Sequence, residues 1–310
     1  MCVEVGGRDT PIVSSAEDWI RVHVEPVGPV DVVRDRTWAQ TTCVPTTEGP
    51  VWFKALAPMH RFEAELVSLL AEGWPDLLPR VLASDLEHGW LLLADAGTSF
   101  DDLGNPPELW CDVLPAYAEL QRDFTVPASV PNRTLERWPE LYEELTSSDL
   151  PITKAEETVL RRFAPRFIEL STELSAYEIP AAIQHDDLHH RNVFVDGQCA
   201  RIIDWGDASR SHPFVSLVVT FRFLEERNGL DPGHPAYGTL RDAYLEPWGT
   251  GLTNAFDLAQ RLGRFAHAFG WVATRRLLPD NARPAYDVPF QKVLRRALAG
   301  VNAVHPTAER

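Results

Sequence analysis

At 310 residues, 45% of them hydrophobic, the chain is long enough to fill one large core or two closely packed lobes. Its formal net charge of −16, with no clustered block of Lys and Arg, argues against a nucleic-acid partner and would draw in a cationic acceptor more readily than an anionic one. The cysteines Cys2, Cys43, Cys111 and Cys199 are scattered and form no C-x-x-C pair, so neither a disulfide framework nor a structural zinc site is expected and a reducing cytoplasm fits.

Residues 1–20 hold several charges and no uninterrupted apolar core, which argues against export. Short β-like runs follow at 30–34, 38–44 and 51–56, with the turn Glu48-Gly49-Pro50 between the second and third. A helix is expected over 61–72, with Phe62, Leu66, Leu69 and Leu70 on one face, and then a further strand over 90–93. Beyond residue 100 helical periodicity takes over. Leu109, Val113, Tyr117 and Leu120 mark one helix; Leu160, Phe163, Phe167, Leu170 and Leu174 mark another, opened by a capping box of Thr153 and Glu156. A hairpin is expected from 193–195 to 200–203, turned at Asp196-Gly197. The apolar stretch 214–224 is interrupted by Arg222 and is too short to span a bilayer, so no membrane insertion is expected. A late helix carries Leu258, Leu262, Phe265, Phe269 and Val272. The expected architecture is α+β and two-lobed: a small antiparallel sheet with one packed helix over 1–94, then a larger, mainly helical lobe over 95–310.

The chemistry concentrates in His185-Asp186-Asp187-Leu188-His189-His190-Arg191-Asn192, which fits H-x-D-L-x-x-x-N, the catalytic-loop pattern of kinases. Asp204-Trp205-Gly206 follows in the place of a metal-binding D-F-G. The intervening hairpin would bring Asn192, before its first strand, and Asp204, after its second, to one end, where both oxygens could share a magnesium ion. Asp187 is the candidate base for an acceptor hydroxyl; Asp186 is its rival, but the register of His, Leu and Asn selects Asp187. His189 could donate to a transferring phosphoryl group or bond loop backbone. In the first half, Val51-Trp52-Phe53-Lys54 reads as a strand ending in a phosphate-binding lysine, whose carboxylate partner should come from the 61–72 helix. Glu63 and Glu65 both qualify, and Glu63 is preferred because it shares a face with Leu66 and Leu70. Alternation places Trp52 on the face of Lys54, within reach of an adenine ring.

These segments together resemble the aminoglycoside phosphotransferase and choline kinase superfamily, whose signature is similar to H-x-D-L-H-x-x-N followed by I-D-W/F-x-D. Here they read HDDLHHRN at 185–192 and IIDWGDA at 202–208, after VWFK, RFEAELVSLL and GWLLLADAG in the family's order. The resemblance implies a protein-kinase-like fold, ATP (or GTP) and Mg2+ as cofactors, and a monomer or homodimer acting on a small hydroxylated acceptor. It also implies a hinge in which the backbone of Ala94 and Ala96 bonds the adenine edge, and a loop containing Thr37 and Trp38 over the phosphates. Three features depart from the pattern. No G-x-G-x-x-G is present; Asp186 stands where the family commonly has Gly; and His190-Arg191 replaces a frequent Pro-Gly. His212-Pro213-Phe214 follows the metal motif at once, with no long activation segment, which disfavours a protein kinase.

Two further readings compete. A metal-dependent hydrolase would use His185, Asp186, Asp187, His189 and His190 as ligands but leaves Lys54, Asn192 and Asp204 without roles. A degenerate, non-transferring kinase is disfavoured because lysine, base and both metal ligands are present. The expected acceptor is a hydroxylated antibiotic, aminoglycoside-like or other, in a resistance role, with an amino alcohol, sugar or amino acid of metabolism as the alternative. Glu136, Glu140, Glu143, Glu144 and Asp149, or Glu225, Glu226 and Asp231, could receive ammonium groups, or form solvated helix faces.

Overall fold

A computed structural model describes residues 15–304. The first half comprises α1 (Ala16–His23), β1 (Asp31–Asp35), β2 (Ala39–Thr46), β3 (Gly49–Leu56), α2 (Phe62–Gly73), β4 (Val81–Asp85) and β5 (Trp90–Ala94). The five strands form one antiparallel sheet in the order β1-β2-β3-β5-β4. Period-two alternation splits β3 between two environments. Val51 and Phe53 join Trp19 and Ile20 of α1 in a small core, while Trp52 and Lys54 point to the opposite face and line a cavity. Strand β4 was not expected, because only Val81 and Leu82 of its five residues are large and apolar and the strand sits at the sheet edge. On α2 the stripe Leu66, Val67 and Leu70 is buried, whereas Leu69 is 39% exposed, off the stripe expected to include it.

After β5 the chain enters β6 (Thr98–Ser99), α3 (Pro107–Asp123), α4 (Trp138–Ser147), α5 (Lys154–Ser175), β7 (Ala182–Gln184), β8 (Val193–Asp196), β9 (Cys199–Ile202), β10 (Ser209–Ser211), α6 (Leu217–Asn228), α7 (Pro235–Leu245), α8 (Thr253–Leu277) and α9 (Arg283–Val304). The helices share a large core in which Tyr142 stacks on Phe167 at 4.4 Å and Phe163 on Phe265 at 5.2 Å, tying α4, α5 and α8 together. The capping box forms as expected: the Thr153 hydroxyl accepts from the Glu156 N–H, and the Glu156 carboxylate accepts from the Thr153 N–H at 2.8 Å. Cys43, Cys111 and Cys199 are free thiols, and Cys2 lies outside the described residues. Among the described residues no helix is long and apolar enough to cross a membrane.

Two small sheets frame the stretch that carries the motifs. β7 pairs with β10, bracketing residues 185–208, and β6 pairs with β8 of the β8-β9 hairpin. The hairpin turns at Gly197-Gln198, one residue later than expected, with Gly197 at φ 64 as a type II′ turn requires of its first central residue. The link from β5 to β6 passes through Gly97, at φ 95, where an added Cβ would overlap the Val195 carbonyl. Strain and overlap act together there, so Gly97→Ala should lower stability by more than about 1 kcal/mol in urea unfolding. Gly73→Ala, with open space around its Cβ, should lose nothing; equal effects at the two sites would contradict this account of the link.

Candidate active site

The loop between β7 and β8 is held from below. Tyr117 on α3 and Ser216 share a 2.6 Å hydrogen bond, and both hydroxyls accept from the His185 N–H. The His185 ring is buried: its Nε2–H donates to the Ile203 carbonyl at 2.8 Å while its Nδ1 accepts from the Asp187 N–H. That pair of bonds joins the loop to the chain leaving β9. Burial lowers the His185 pKa, consistent with a neutral ring in this role.

Asp186 takes the left-handed conformation at φ 63, which explains why a glycine is common there in related sequences. Its side chain turns inward to Arg133 at 2.7 Å and accepts from the Ser209 hydroxyl at 3.1 Å. Burial raises its carboxyl to about 6 against the pull of Arg133. Asp187 instead keeps a third of its side chain exposed, its Oδ2 3.3 Å from Asn192 Nδ2 and 3.4 Å from His189 Nε2. The His189 Nδ1 accepts from the Arg191 N–H, which leaves its Nε2–H for Asp187. The His190-Arg191 replacement is absorbed by Asp101, on which His190, Arg191 and Arg227 converge. Despite partial burial, Arg227 and its neighbours hold the Asp101 carboxyl below its ordinary value.

The hairpin brings Asn192 and Asp204 to one end, because the Ile203 N–H extends the ladder to the Asn192 carbonyl at 2.9 Å. Asp204 is left-handed at φ 64, a second non-glycine in that region within the same small structure. The Asn192 amide N–H donates to the Asp187 carbonyl at 2.9 Å, which leaves its oxygen for other partners. An amide oxygen and a carboxylate are hard donors, and a magnesium ion takes few protein ligands, so this pair fits that ion.

The charges meet at Lys54. Its ammonium lies 2.7 Å from Glu63 and 2.6 Å from Asp204, a residue 150 positions later. Burial alone would push Lys54 down, but Asp204 and Glu63 hold it well above its ordinary value. Lys54 in turn draws the Asp204 carboxyl down to about 2. Burial raises Glu63, which is almost wholly enclosed, in spite of the same lysine. Gly206 lets the metal-motif backbone approach this knot, since a Cβ there would stand 3.0 Å from Glu63 Oε2. Glu65, the rival partner, bonds Ser129 at 2.5 Å instead.

Lys54, Glu63, Asn192 and Asp204 line one cavity of about 320 Å³, together with Trp52, Ala94 and Ala96. The Trp52 indole N–H is donated to Asp95 at 2.8 Å. The Ala94 N–H is committed to the Arg80 carbonyl at 2.9 Å, so only its carbonyl could serve an adenine edge. The loop before β2 departs from expectation. Thr37 is exposed and Trp38 packs edge-on against Tyr286 of α9 at 6.2 Å, and neither lines this cavity. Arg34 of β1 does line it, 3.9 Å from Asp204; an exposed strand arginine carries no signal in the sequence that would have selected it.

Trp38 belongs to a second, smaller space of about 80 Å³ beside the loop, shared with His60, Arg133, Asp207, His267 and Trp271. Burial lowers His60 and His267 to about 4, so both rings are neutral. Enclosure and repulsion from Asp187, Asp204 and Asp186 raise Asp207. Asp207 is the second aspartate of the I-D-W-x-D segment, which could have flagged it; Arg133 and His267 have no motif around them. The residues proposed as hydrolase ligands disperse: His185, Asp186 and His190 bond different partners, and among the described residues no three His, Cys, Asp or Glu groups are arranged to hold a metal.

Comparison with known proteins shows the family to which the chain is similar. The family model described as "Phosphotransferase enzyme family" matches residues 31–280. An N-acetylmuramate/N-acetylglucosamine kinase of Pseudomonas aeruginosa is 33% identical over 141 residues, covering 42% of this chain and 40% of that protein's length. The choline kinase LicA of Streptococcus pneumoniae shares the fold at a TM-score of 0.62 and 15% identity, over 90% of this chain and 94% of that one. An aminoglycoside 2'-phosphotransferase-IIIa, solved with GDP, does so at 0.61 and 14%, over 88% and 93%. With its protein-kinase-like fold and a family match spanning most of its length, the chain belongs to the phosphotransferase enzyme family.

Proposed function

We propose that the chain transfers the γ-phosphoryl group of ATP, or GTP, directly to a hydroxyl of a small acceptor, with Asp187 as the base. One observation carries this reading: Lys54, from the sheet, is bonded to both Glu63 and Asp204 in the cavity that Asn192 also lines, one hydrogen bond from Asp187. Lys54 and Arg34 supply positive charge for the phosphates, and Glu63 keeps the lysine aimed. Asn192 and Asp204 would hold Mg2+, which when bound offsets phosphate charge. Asp187, a third exposed and oriented by Asn192 and His189, accepts the acceptor proton and points its oxygen toward phosphorus. No residue is needed for a covalent relay. Asp186, spent on Arg133 and Ser209, shapes the loop and takes no proton from the acceptor.

The acceptor hydroxyl would enter from the side of the 80 Å³ space, where Trp271 and Tyr286 stand 4.8 Å apart beside Trp38. Aromatic faces with flanking polar groups suit a hydroxylated ring. Similarity to the Pseudomonas sugar kinase supports a sugar-type metabolite; similarity to the aminoglycoside phosphotransferase supports a hydroxylated antibiotic. A coupled ADP-release assay across both classes decides between them.

Asp187→Ala should lose roughly two to four orders of magnitude in turnover while nucleotide affinity stays within a few-fold; turnover near the parent value would remove Asp187 from the role of base. Asp204→Ala should abolish the magnesium dependence of nucleotide binding, read by calorimetry with and without the metal. Retention of that dependence would mean that the ion is held elsewhere.

A further inference from the structure

A cavity of about 560 Å³ opens among α6, α7, α8 and α9, large enough for a ring-bearing ligand. Three arginines from three helices meet there: Arg222 of α6, Arg264 of α8 and Arg296 of α9. Two carboxylates, Glu225 and Glu226, share the space, but Glu226 is already paired with Arg296 at 2.6 Å. Among the described residues neither Arg222 nor Arg264 makes a salt bridge, although Glu226 and Asp187 act on Arg222 from a distance.

Arg222 is the unusual member. It has no ion-pair or hydrogen-bond partner among the described residues, and its Nε is buried without an acceptor. Its guanidinium carbon lies 4.2 Å over the Phe223 ring. A buried donor without a partner is uncommon in folded proteins, and a guanidinium fork matches a carboxylate or phosphate in shape. Burial, with Arg296 nearby, pushes its pKa below the ordinary value in spite of Glu226 and Asp187, and an anion in direct contact would relieve that cost.

This space adjoins the reacting loop. His267 lines both the 560 Å³ cavity and the 80 Å³ space next to Asp186 and Asp207. Phe223, under Arg222, packs its ring against His189 at 4.7 Å and His190 at 4.9 Å. An acceptor whose hydroxyl reaches Asp187 could therefore extend past His267 to Arg222.

Building on the phosphotransferase reading above, we infer that the acceptor carries an oxyanion, a carboxylate or a phosphate, which Arg222 receives in the helical cavity with Arg264 beside it. This reverses the cationic acceptor suggested by net charge. The acidic residues of α4 do not oppose it: none of Glu140, Glu143 and Glu144 lines the cavity, and Glu140 pairs with Arg137 and Glu144 with Arg276.

The test compares matched acceptors on the full chain with ATP and Mg2+, by ADP release and by calorimetry with a non-hydrolysable analogue. Glycerate and glycerol 3-phosphate are set against glycerol, gluconate and glucose 6-phosphate against glucose, and N-acetylmuramate against N-acetylglucosamine. At least one acid should exceed its neutral parent about tenfold or more in kcat/KM, and whether it is a carboxylate or a phosphate identifies the group. Arg222→Met should erase that advantage and Arg222→Lys should keep part of it, with nucleotide affinity as the check on folding. The inference is overturned if neutral or amine-bearing acceptors equal or surpass every acid, or if Arg222→Met weakens acid and neutral parent alike. A chain that binds no nucleotide and releases no ADP would instead refute the phosphotransferase reading, and the inference with it.

Discussion

The ammonium of Lys54 is the point on which the two halves of the molecule depend. One cation, nearly enclosed, is shared by Glu63 from the helix packed on the sheet and by Asp204 from the far end of the β8-β9 hairpin. Removing one partner of a buried pair costs about 3–5 kcal/mol, which applies to Lys54 and the enclosed Glu63; the partly exposed Asp204 contributes less because solvent screens it. The arrangement therefore fixes where α2 sits relative to the hairpin, and through the hairpin where Asn192 and Asp187 stand. A single contact network sets both the position of the sheet and the register of the reacting groups. With Arg34 3.9 Å from Asp204, two cations face the two carboxylates, and the Asp187 carboxylate beside Asn192 adds the further negative charge that suits a site taking in a divalent cation.

Around that network the protein tolerates costly backbone. Asp186 and Asp204 both occupy the left-handed region without being glycine. Each is held there by its side chain: Asp186 by Arg133 and Ser209, Asp204 by Lys54. The replacement of the family's common glycine by Asp186 is thus a trade of conformational ease for an anchored loop. The same logic covers His190-Arg191, where the convergence on Asp101 does for the loop what a proline would do by restricting φ.

How much of this was legible in the sequence follows from the range of each interaction. The hairpin, the capping box and the alternation on β3 are local patterns, and they placed Asn192, Asp204, Trp52 and Lys54 with little error. Glu63 was found through helical spacing, one step from Lys54. Strand β4 escaped because an edge strand with two large apolar residues offers no period. The loop at Thr37 and Trp38 was assigned through family likeness alone; Trp38 went to Tyr286, at the far end of the chain, which no spacing reveals. Arg34 and Arg133 escaped for the same reason, since the partner of each lies in a different part of the chain.

Charge illustrates the limit most clearly. A net charge of −16 describes the field far from the protein, and it steers encounters over distances longer than a screening length. Recognition inside a cleft is decided over a few ångströms, where a low-dielectric wall strengthens whatever charge is left without a partner. In the helical cavity the carboxylates are fewer than the arginines, and one of the two is already spent on Arg296. The acidic surface then acts on ligands of either sign at long range, while selection falls to Arg222, whose guanidinium has no hydrogen bond or ion pair among the described residues and sits one aromatic ring away from the reacting loop. A global sum of charges cannot reveal this, because the balance that matters is struck among side chains brought together only when α6, α8 and α9 pack.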